Sequence, residues 1–150
     1  MSLTVPVLSK FETTSDVSAV SSGKSICYAQ KDGKLIIDGS EKQLPPITSM
    51  FQTNFGDLII GTRDGLHTFR DGEQINFIEY LSGIESIHGK GDYCVAIDGL
   101  SKANIVNSAG EVLKIPESSV SKVAIGNSLA IATDTGEVST YTYTGQKIWQ

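Results

Sequence analysis

The stretch Val138-Ser139-Thr140-Tyr141-Thr142-Tyr143-Thr144 predicts a β-strand more clearly than any other part of the chain. Its residues are β-branched or aromatic at nearly every place, and apolar or aromatic at alternate places, as in a pleated strand. The turn signal Asp134-Thr135-Gly136 precedes it, and Gly145 followed by the short segment Lys147-Ile148-Trp149 comes after it. This part of the chain is therefore predicted to form consecutive antiparallel strands joined by glycine turns.

The same order of strands and glycines recurs three times upstream. Each copy has a short first strand (a), an apolar second strand (b), a turn containing glycine, a third strand (c) and a short fourth strand (d). The copies cover approximately residues 17–46, 47–83, 84–119 and 120–150. A Gly or Pro interrupts the chain about every eight to twelve residues, which is too often for helices of useful length. We therefore predict an all-β fold made of about four four-stranded antiparallel units.

Strand b carries two further expectations. It is predicted to end on a small residue, so that neighbouring units can pack closely. A central apolar residue in each strand b is predicted to be buried. The small residues are Ala29, Gly61, Ala96 and Ala132, and the buried residues are Ile26, Ile59, Val95 and Ile131. The turns that follow strand b are Lys31-Asp32-Gly33, Arg63-Asp64-Gly65, Ile97-Asp98-Gly99 and Asp134-Thr135-Gly136.

The fourth copy carries a family resemblance. The segments Ala130-Ile131-Ala132-Thr133-Asp134-Thr135-Gly136-Glu137-Val138 and Tyr143-Thr144-Gly145-Gln146-Lys147-Ile148-Trp149 resemble quinoprotein-like (PQQ-like) propeller repeats and their WD-repeat relatives. The resemblance extends over nearly the whole chain. It implies a β-propeller-type array in which each unit is one blade, and it identifies a scaffold without assigning functional residues.

The number of blades does not decide how the ring is closed. Four is the low end of the four to eight blades found in propellers. Residues 5–11 resemble the later d strands and are predicted to be an extra outer strand, which would give a closed four-bladed ring one strand too many. We favour an array that is part of a larger propeller, as a piece of a longer chain. A ring closed by two copies of the chain and a four-bladed monomer are the alternatives.

Composition excludes several classes of partner. The formal net charge of the 150 residues is −5, and the twelve Lys and Arg are scattered, so a nucleic-acid partner is not expected. The longest apolar runs, such as Leu58-Ile59-Ile60, are too short to span a membrane. The first residues carry no secretory signal, which favours the cytoplasm. Cys27 and Cys94 lie in apolar runs and are expected to be small buried residues.

The sequence offers no recognisable catalytic or metal-binding motif. His67 and His88 lack a second ligand at zinc-binding spacing. The four turn aspartates, which occur once per blade, are predicted to cap their own turns rather than bind calcium. Glu85 and Lys122, on strands a of adjacent blades, are expected to line a solvated central channel. We therefore predict no enzymatic activity, no cofactor and no metal. The turn aspartates are Asp32, Asp64, Asp98 and Asp134.

The favoured function is a non-catalytic interaction scaffold that binds a protein partner. In a propeller the d–a loops and the b–c turns share one face, and we expect the partner there. Arg63, Tyr80 and Leu100 are the predicted anchor residues on this face. The alternative is a small-ligand-binding or enzymatic propeller whose site, at the channel mouth, is completed by missing blades. A purely structural spacer is a third interpretation.

Overall fold

A computed structural model of the chain describes residues 16–22 and 25–149. All regular secondary structure within these residues is β-strand, and no helix there is long and apolar enough to cross a membrane. The strands are, in chain order, β1 (Val17–Ser22), β2 (Ile26–Gln30), β3 (Lys34–Ile37), β4 (Ser40–Gln43), β5 (Ile47–Gln52), β6 (Leu58–Thr62), β7 (Gly65–Arg70), β8 (Glu73–Glu79), β9 (Ile84–Lys90), β10 (Tyr93–Asp98), β11 (Ala103–Val106), β12 (Val112–Lys114), β13 (Val120–Ile125), β14 (Leu129–Thr133), β15 (Val138–Tyr141) and β16 (Lys147–Trp149).

The strands form four four-stranded sheets, each a simple antiparallel meander of consecutive strands. The first blade contains β1 to β4, the second β5 to β8, the third β9 to β12 and the fourth β13 to β16. The prediction of an all-β fold with four four-stranded antiparallel blades is confirmed. The outer strand predicted at residues 5–11 lies outside the described residues.

The first strands of the blades, β1, β5, β9 and β13, lie closest to one another, so strand a is innermost. Successive blades stack face to face around three apolar cores. We call the face toward the preceding blade the front and the face toward the following blade the back. In β6, Leu58 and Ile60 are front residues in the core with the first blade, whereas Ile59 is a back residue in the core with the third. This alternation follows from the two-residue period of a strand.

The array is open at its ends. Among the described residues, no apolar core joins the fourth blade to the first, and β13 does not pack against β1 as the neighbouring inner strands do. Ile59, Val95 and Ile131 are fully buried, as predicted. The burial predicted for Ile26 is wrong, because 46% of this residue is exposed. Ile26 lies on the front of the first blade, which no other blade covers.

Each inner strand begins with an irregularity in its pairing to strand b. In three blades the residue skipped by the register is a Ser or Thr whose hydroxyl donates to a strand-b carbonyl. These hydrogen bonds join Ser18 to Ala29 at 3.3 Å, Thr48 to Gly61 at 3.1 Å and Ser121 to Ala132 at 3.2 Å. In the third blade the skipped residue is Glu85, which is exposed. The bulge is thus a repeated feature of the blade.

The register of the third blade differs by one residue from the repeat pattern predicted from the sequence. Ile97 pairs with Ser86, as Gly61 pairs with Ser49 in the second blade, so Ile97 and not Ala96 occupies the position of the small residue. The turn is displaced as well. Its positive φ falls on Ser101, at 59°, rather than on Gly99. The residues equivalent to Ser101 in the other blades are Gly33, Gly65 and Gly136, all with positive φ.

Candidate functional site

One end of the array is formed by turns and loops that hydrogen-bond to each other across blade boundaries. The backbone N–H of Tyr80 donates to the carbonyl of Asp64 at 2.8 Å, which ties the loop after β8 to the turn after β6. The N–H of Gly99 donates to the carbonyl of Gly83 at 3.0 Å, which ties the same loop to the turn of the third blade. The d–a loops and b–c turns therefore form one continuous surface, called here the loop face.

The structure exposes two of the three predicted anchor residues on the loop face. Arg63 is exposed at the tip of its turn, next to the backbone of Gly83. Leu100 is 67% exposed at the tip of the next turn. These two residues occupy the kind of position from which a side chain can reach a partner.

Tyr80 is placed differently from the prediction. It is only 8% exposed and packs in the core between the second and third blades. Its hydroxyl donates to Oδ1 of Asn104 at 3.0 Å. Burial, together with the nearby charge of Asp98, raises the pKa of Tyr80 to about 12. The prediction of an exposed anchor is corrected because the ring turns inward, where it gains both apolar contacts and a hydrogen-bond acceptor.

A groove of about 540 Å³ lies beside Tyr80, between the second and third blades. Leu81 and Leu100 line it from two different loops, and Leu81 is 95% exposed. Lys102 and Lys114 also line the groove and are exposed. The Lys114 ammonium lies 6.0 Å from the centre of the Tyr80 ring, in a cation–π arrangement. The groove thus combines two exposed leucines with two cations, and the carboxylates of Glu79 and Asp98 line it as well.

Leu81 is the functional candidate that sequence reasoning missed. From the sequence, the d–a loops are placed on this face and Tyr80 is singled out in the loop after β8, without a prediction for Leu81. The signal that could have identified it is its place immediately before Ser82-Gly83, where a turn lifts one side chain away from the sheet.

A second groove, of about 590 Å³, lies between the first and second blades and is lined by residues of the opposite end of the array. Burial, with a contribution from Asp38, raises the pKa of the Cys27 thiol in this groove to about 11. Burial likewise raises the pKa of Cys94 to about 12. Both cysteines are buried and free, as expected. A thiol with a raised pKa carries little thiolate near neutral pH, so neither cysteine is poised as a nucleophile.

His67 lies in a hydrogen-bonded network inside the second blade. Its Nε2 is 3.1 Å from Oγ1 of Thr62 and 3.3 Å from Oδ1 of Asp64, and its Nδ1 is 3.2 Å from Oε1 of Gln74. Burial raises the pKa of Asp64, but hydrogen bonds from Thr62 and His67 outweigh it, so this pKa is below its ordinary value. The network joins β6, β7 and β8, which is a structural role.

The described residues contain no group of three or more metal-ligating side chains. His88 is exposed. Two of the turn aspartates cap backbone groups: the N–H of Lys34 donates to Oδ1 of Asp32 at 3.0 Å, and that of Leu100 donates to Oδ1 of Asp98 at 2.9 Å. These contacts occupy the carboxylates in turn stabilisation.

Glu117 is a largely buried carboxylate between the third and fourth blades. It accepts hydrogen bonds from the hydroxyls of Ser139 and Tyr141 and from Lys147 Nζ, which lies 3.3 Å away. Burial raises the pKa of Glu117, but the hydrogen bonds from Tyr141 and Lys147 together lower it below its ordinary value. Glu117 therefore anchors the d–a loop to the fourth blade.

The channel residues form no comparable site. Glu85 and Lys122 are exposed, in agreement with a solvated inner surface. Neither of the two larger grooves includes them.

The architecture is that of a β-propeller, and solved structures with this fold superpose on most of the chain. The designed Ika4 protein matches with a TM-score of 0.70 at 13% identity, over 93% of this chain and 99% of that one. The Cps50 (Swd1) propeller domain of Myceliophteria thermophila matches with a TM-score of 0.70 at 13% identity, over 92% and 55%. BBS1N, solved in complex with ARL6DN, matches with a TM-score of 0.62 at 16% identity, over 89% and 52%.

These likenesses define the class of protein by fold alone. No known family and no curated protein matches the sequence. The chain spans about half the length of the Swd1 and BBS1N chains, and nearly all of the designed protein.

Proposed function

We propose that this chain is a non-catalytic β-propeller scaffold that binds a protein partner through its loop face. The groove between the second and third blades is the proposed contact. The observation that carries the proposal is the exposure of Leu81 and Leu100, which come from separate loops and line one groove. Exposed apolar side chains that converge on one groove are typical of interaction surfaces.

The chemistry of the groove suggests what the partner presents. Covering the two leucines would stabilise a complex by about 25 cal/mol for each Å² of apolar surface removed from water. Lys102 and Lys114 flank this apolar surface. A partner segment with an apolar side chain flanked by both an acid and a base fits the groove, because Lys102 and Lys114 can pair with the acid and Glu79 with the base at the rim.

The hydrogen bonds made by His67 and Glu117 support a non-catalytic role. His67 is held by Thr62, Asp64 and Gln74 inside its own blade. Glu117 accepts three side-chain hydrogen bonds that fix a loop. Neither group lines one of the two grooves described above, where a bound substrate would have to meet a general acid or base.

The propeller BBS1N, which was solved in complex with ARL6DN, supports the proposal by analogy. It is an example of this fold carrying a protein partner. The analogy concerns the scaffold and transfers no residue to this chain.

Affinity capture with two matched variants tests the proposal. Leu81→Ser/Leu100→Ser removes the apolar surface of the groove, and Phe55→Ser removes a comparably exposed apolar residue from a loop at the opposite end. Proteins retained by the wild-type chain are identified, and the affinity of each purified candidate is then measured. We expect the double variant to weaken binding about 30-fold, at roughly 1 kcal/mol per leucine, and Phe55→Ser to leave it unchanged. Equal binding by all three proteins would refute the proposed contact.

A further inference from the structure

The three interfaces between blades share one arrangement. Each places the back of one blade against the front of the next. At the second interface, a Cβ on Gly61 would lie 2.6 Å from Cγ2 of Ile84 and 3.1 Å from its Cβ, so the two positions are in direct contact. The equivalent positions at the other two interfaces share a core and are Ala29 with Ile47 and Ile97 with Val120.

The front of the first blade has the composition of a buried front, but none of the other described blades covers it. Val17, Val20 and Ile26 are exposed, Val20 to 73%. The strand registers make Val17 and Ile26 equivalent to residues that are buried in every other blade. Those residues are Ile47 and Leu58, Ile84 and Cys94, and Val120 and Leu129. The first blade therefore presents half of a blade interface to solvent.

The back of the fourth blade presents the other half. Val138 is 48% exposed, and Ala130 and Ala132 are partly exposed beside it. In the other blades the residues equivalent to Val138 are buried, because the next blade covers them. They are Leu35, Leu66 and Ala103.

We propose that a second copy of this chain covers both open faces. The front of the first blade of each copy packs on the back of the fourth blade of the other. The result is a ring of eight blades with two identical intermolecular interfaces. Val17 of one copy then meets Ala132 of the other, which continues the pairs Ala29 with Ile47 and Gly61 with Ile84.

The two open faces identify the occupant because they are complementary halves of the interface that the chain already repeats internally. Both lie on the same chain, so two copies satisfy all open faces at once. Contact between two fronts would pair surfaces that meet nowhere within the chain, whose three interfaces all set a back against a front. The inference concerns the ends of the array and does not depend on the loop-face proposal, so each can fail without the other.

The mass of the 150-residue protein in solution is the first test. We expect sedimentation equilibrium to give twice the 16.0 kDa of one chain. Val20→Glu and Val138→Lys each place a charge in both interfaces, and we expect the dissociation constant to rise by at least about 100-fold. Phe55→Glu, on neither face, is the control and should stay dimeric. Circular dichroism melts check that each variant is folded. A wild-type protein that remains a monomer, or that forms open-ended polymers, overturns the proposal.

Mixing the two variants tests the head-to-tail arrangement. In a mixed pair, both substitutions fall in the same interface, and the other interface is entirely wild type. An equimolar mixture of Val20→Glu and Val138→Lys should therefore recover dimers that neither variant forms alone. Recovery is not expected if fronts pair with fronts or backs with backs, and its absence would overturn the arrangement.

A cross-link distinguishes pairing between copies from closure within one chain. A Cβ on Gly61 would lie 3.1 Å from the Cβ of Ile84, slightly nearer than the roughly 3.5–4.5 Å between the Cβ atoms of a disulfide, so we expect the equivalent pair to come within cross-linking distance. The double variant Val17→Cys/Ala132→Cys should give a covalent dimer on a non-reducing gel. A disulfide within a single chain, or no disulfide under oxidising conditions, contradicts the proposal.

Discussion

Gly61 and Ile84 set the approach of the second blade to the third, because Cγ2 of Ile84 occupies the space that a Cβ on Gly61 would need. We expect Gly61→Ala to destabilise the protein by about 1–3 kcal/mol in urea unfolding, since the blades would have to move apart. Gly126→Ala is the control. A Cβ there would meet one atom at 3.9 Å, so it should be nearly neutral.

A double-mutant cycle attributes the effect to this contact. Adding Ile84→Ala removes the methyl group in conflict, so the two losses should sum to more than the loss in the double variant. Additive losses would show that the cost of Gly61→Ala arises elsewhere.

Ser101 occupies a backbone position that glycine fills in the other three blades, and its φ is 59°. We expect Ser101→Gly to raise the free energy of unfolding by about 0.5–1 kcal/mol, because the relief of left-handed strain exceeds the added flexibility of glycine. The reverse change, Gly33→Ser, should destabilise, since a Cβ there would lie 2.0 Å from the carbonyl oxygen of Leu44. Thermal melts of both variants measure the difference, and a destabilised Ser101→Gly would contradict the turn assignment.

Tyr80→Phe tests whether Tyr80 acts in the core or at the surface. Removing the hydroxyl leaves Oδ1 of Asn104 without this donor in a buried site, which should cost about 1–3 kcal/mol of stability. Binding of a partner to the loop face should be unaffected. Unchanged stability combined with weakened binding would restore Tyr80 as an anchor.

Glu117 links stability to pH. Its folded-state pKa lies below its ordinary value of 4.5, so the carboxylate stabilises the fold above that pH, and this stabilisation is lost as pH falls through the lower folded-state pKa. In Glu117→Gln the free energy of unfolding should decline less between pH 5 and pH 3, to be measured by urea titration. Glu85→Gln, at an exposed position, should decline as the wild type does. Parallel wild-type and Glu117→Gln curves would exclude this role.

The sequence was sufficient to predict the strands of each blade but not the exposure of residues at the ends of the array. Glycine spacing and the alternation in Val138-Ser139-Thr140-Tyr141-Thr142-Tyr143-Thr144 predict the strands because both reflect local backbone preferences. The exposure of Ile26 depends on the absence of a neighbouring blade, which no local pattern records. The shift from Ala96 to Ile97 goes with the turn of the third blade, whose positive φ lies at Ser101, so that Gly99 misplaces the end of the strand when only the sequence is known.

The candidate site was predictable as a region but not by residue. The loop face follows from the order of strands in a blade, and Arg63 and Leu100 are exposed there. Tyr80 turns inward where an exposed anchor was predicted, and Leu81, for which no prediction was made, is exposed. The hydroxyl of Tyr80 donates to Asn104 inside the protein, a partner 24 residues away in the chain that no local pattern indicates.

The bulge at the start of each inner strand places one residue per blade on the inner surface without making it part of an apolar core. The skipped residue lies outside the alternation that fills the cores, so a change there does not alter the register. Ser18, Thr48 and Ser121 carry hydroxyls at this place, whereas Glu85 carries a carboxylate. The inner surface of the array can therefore carry a hydroxyl or a carboxylate at one position per blade, and the change from hydroxyl to carboxylate costs the hydrogen bond to strand b.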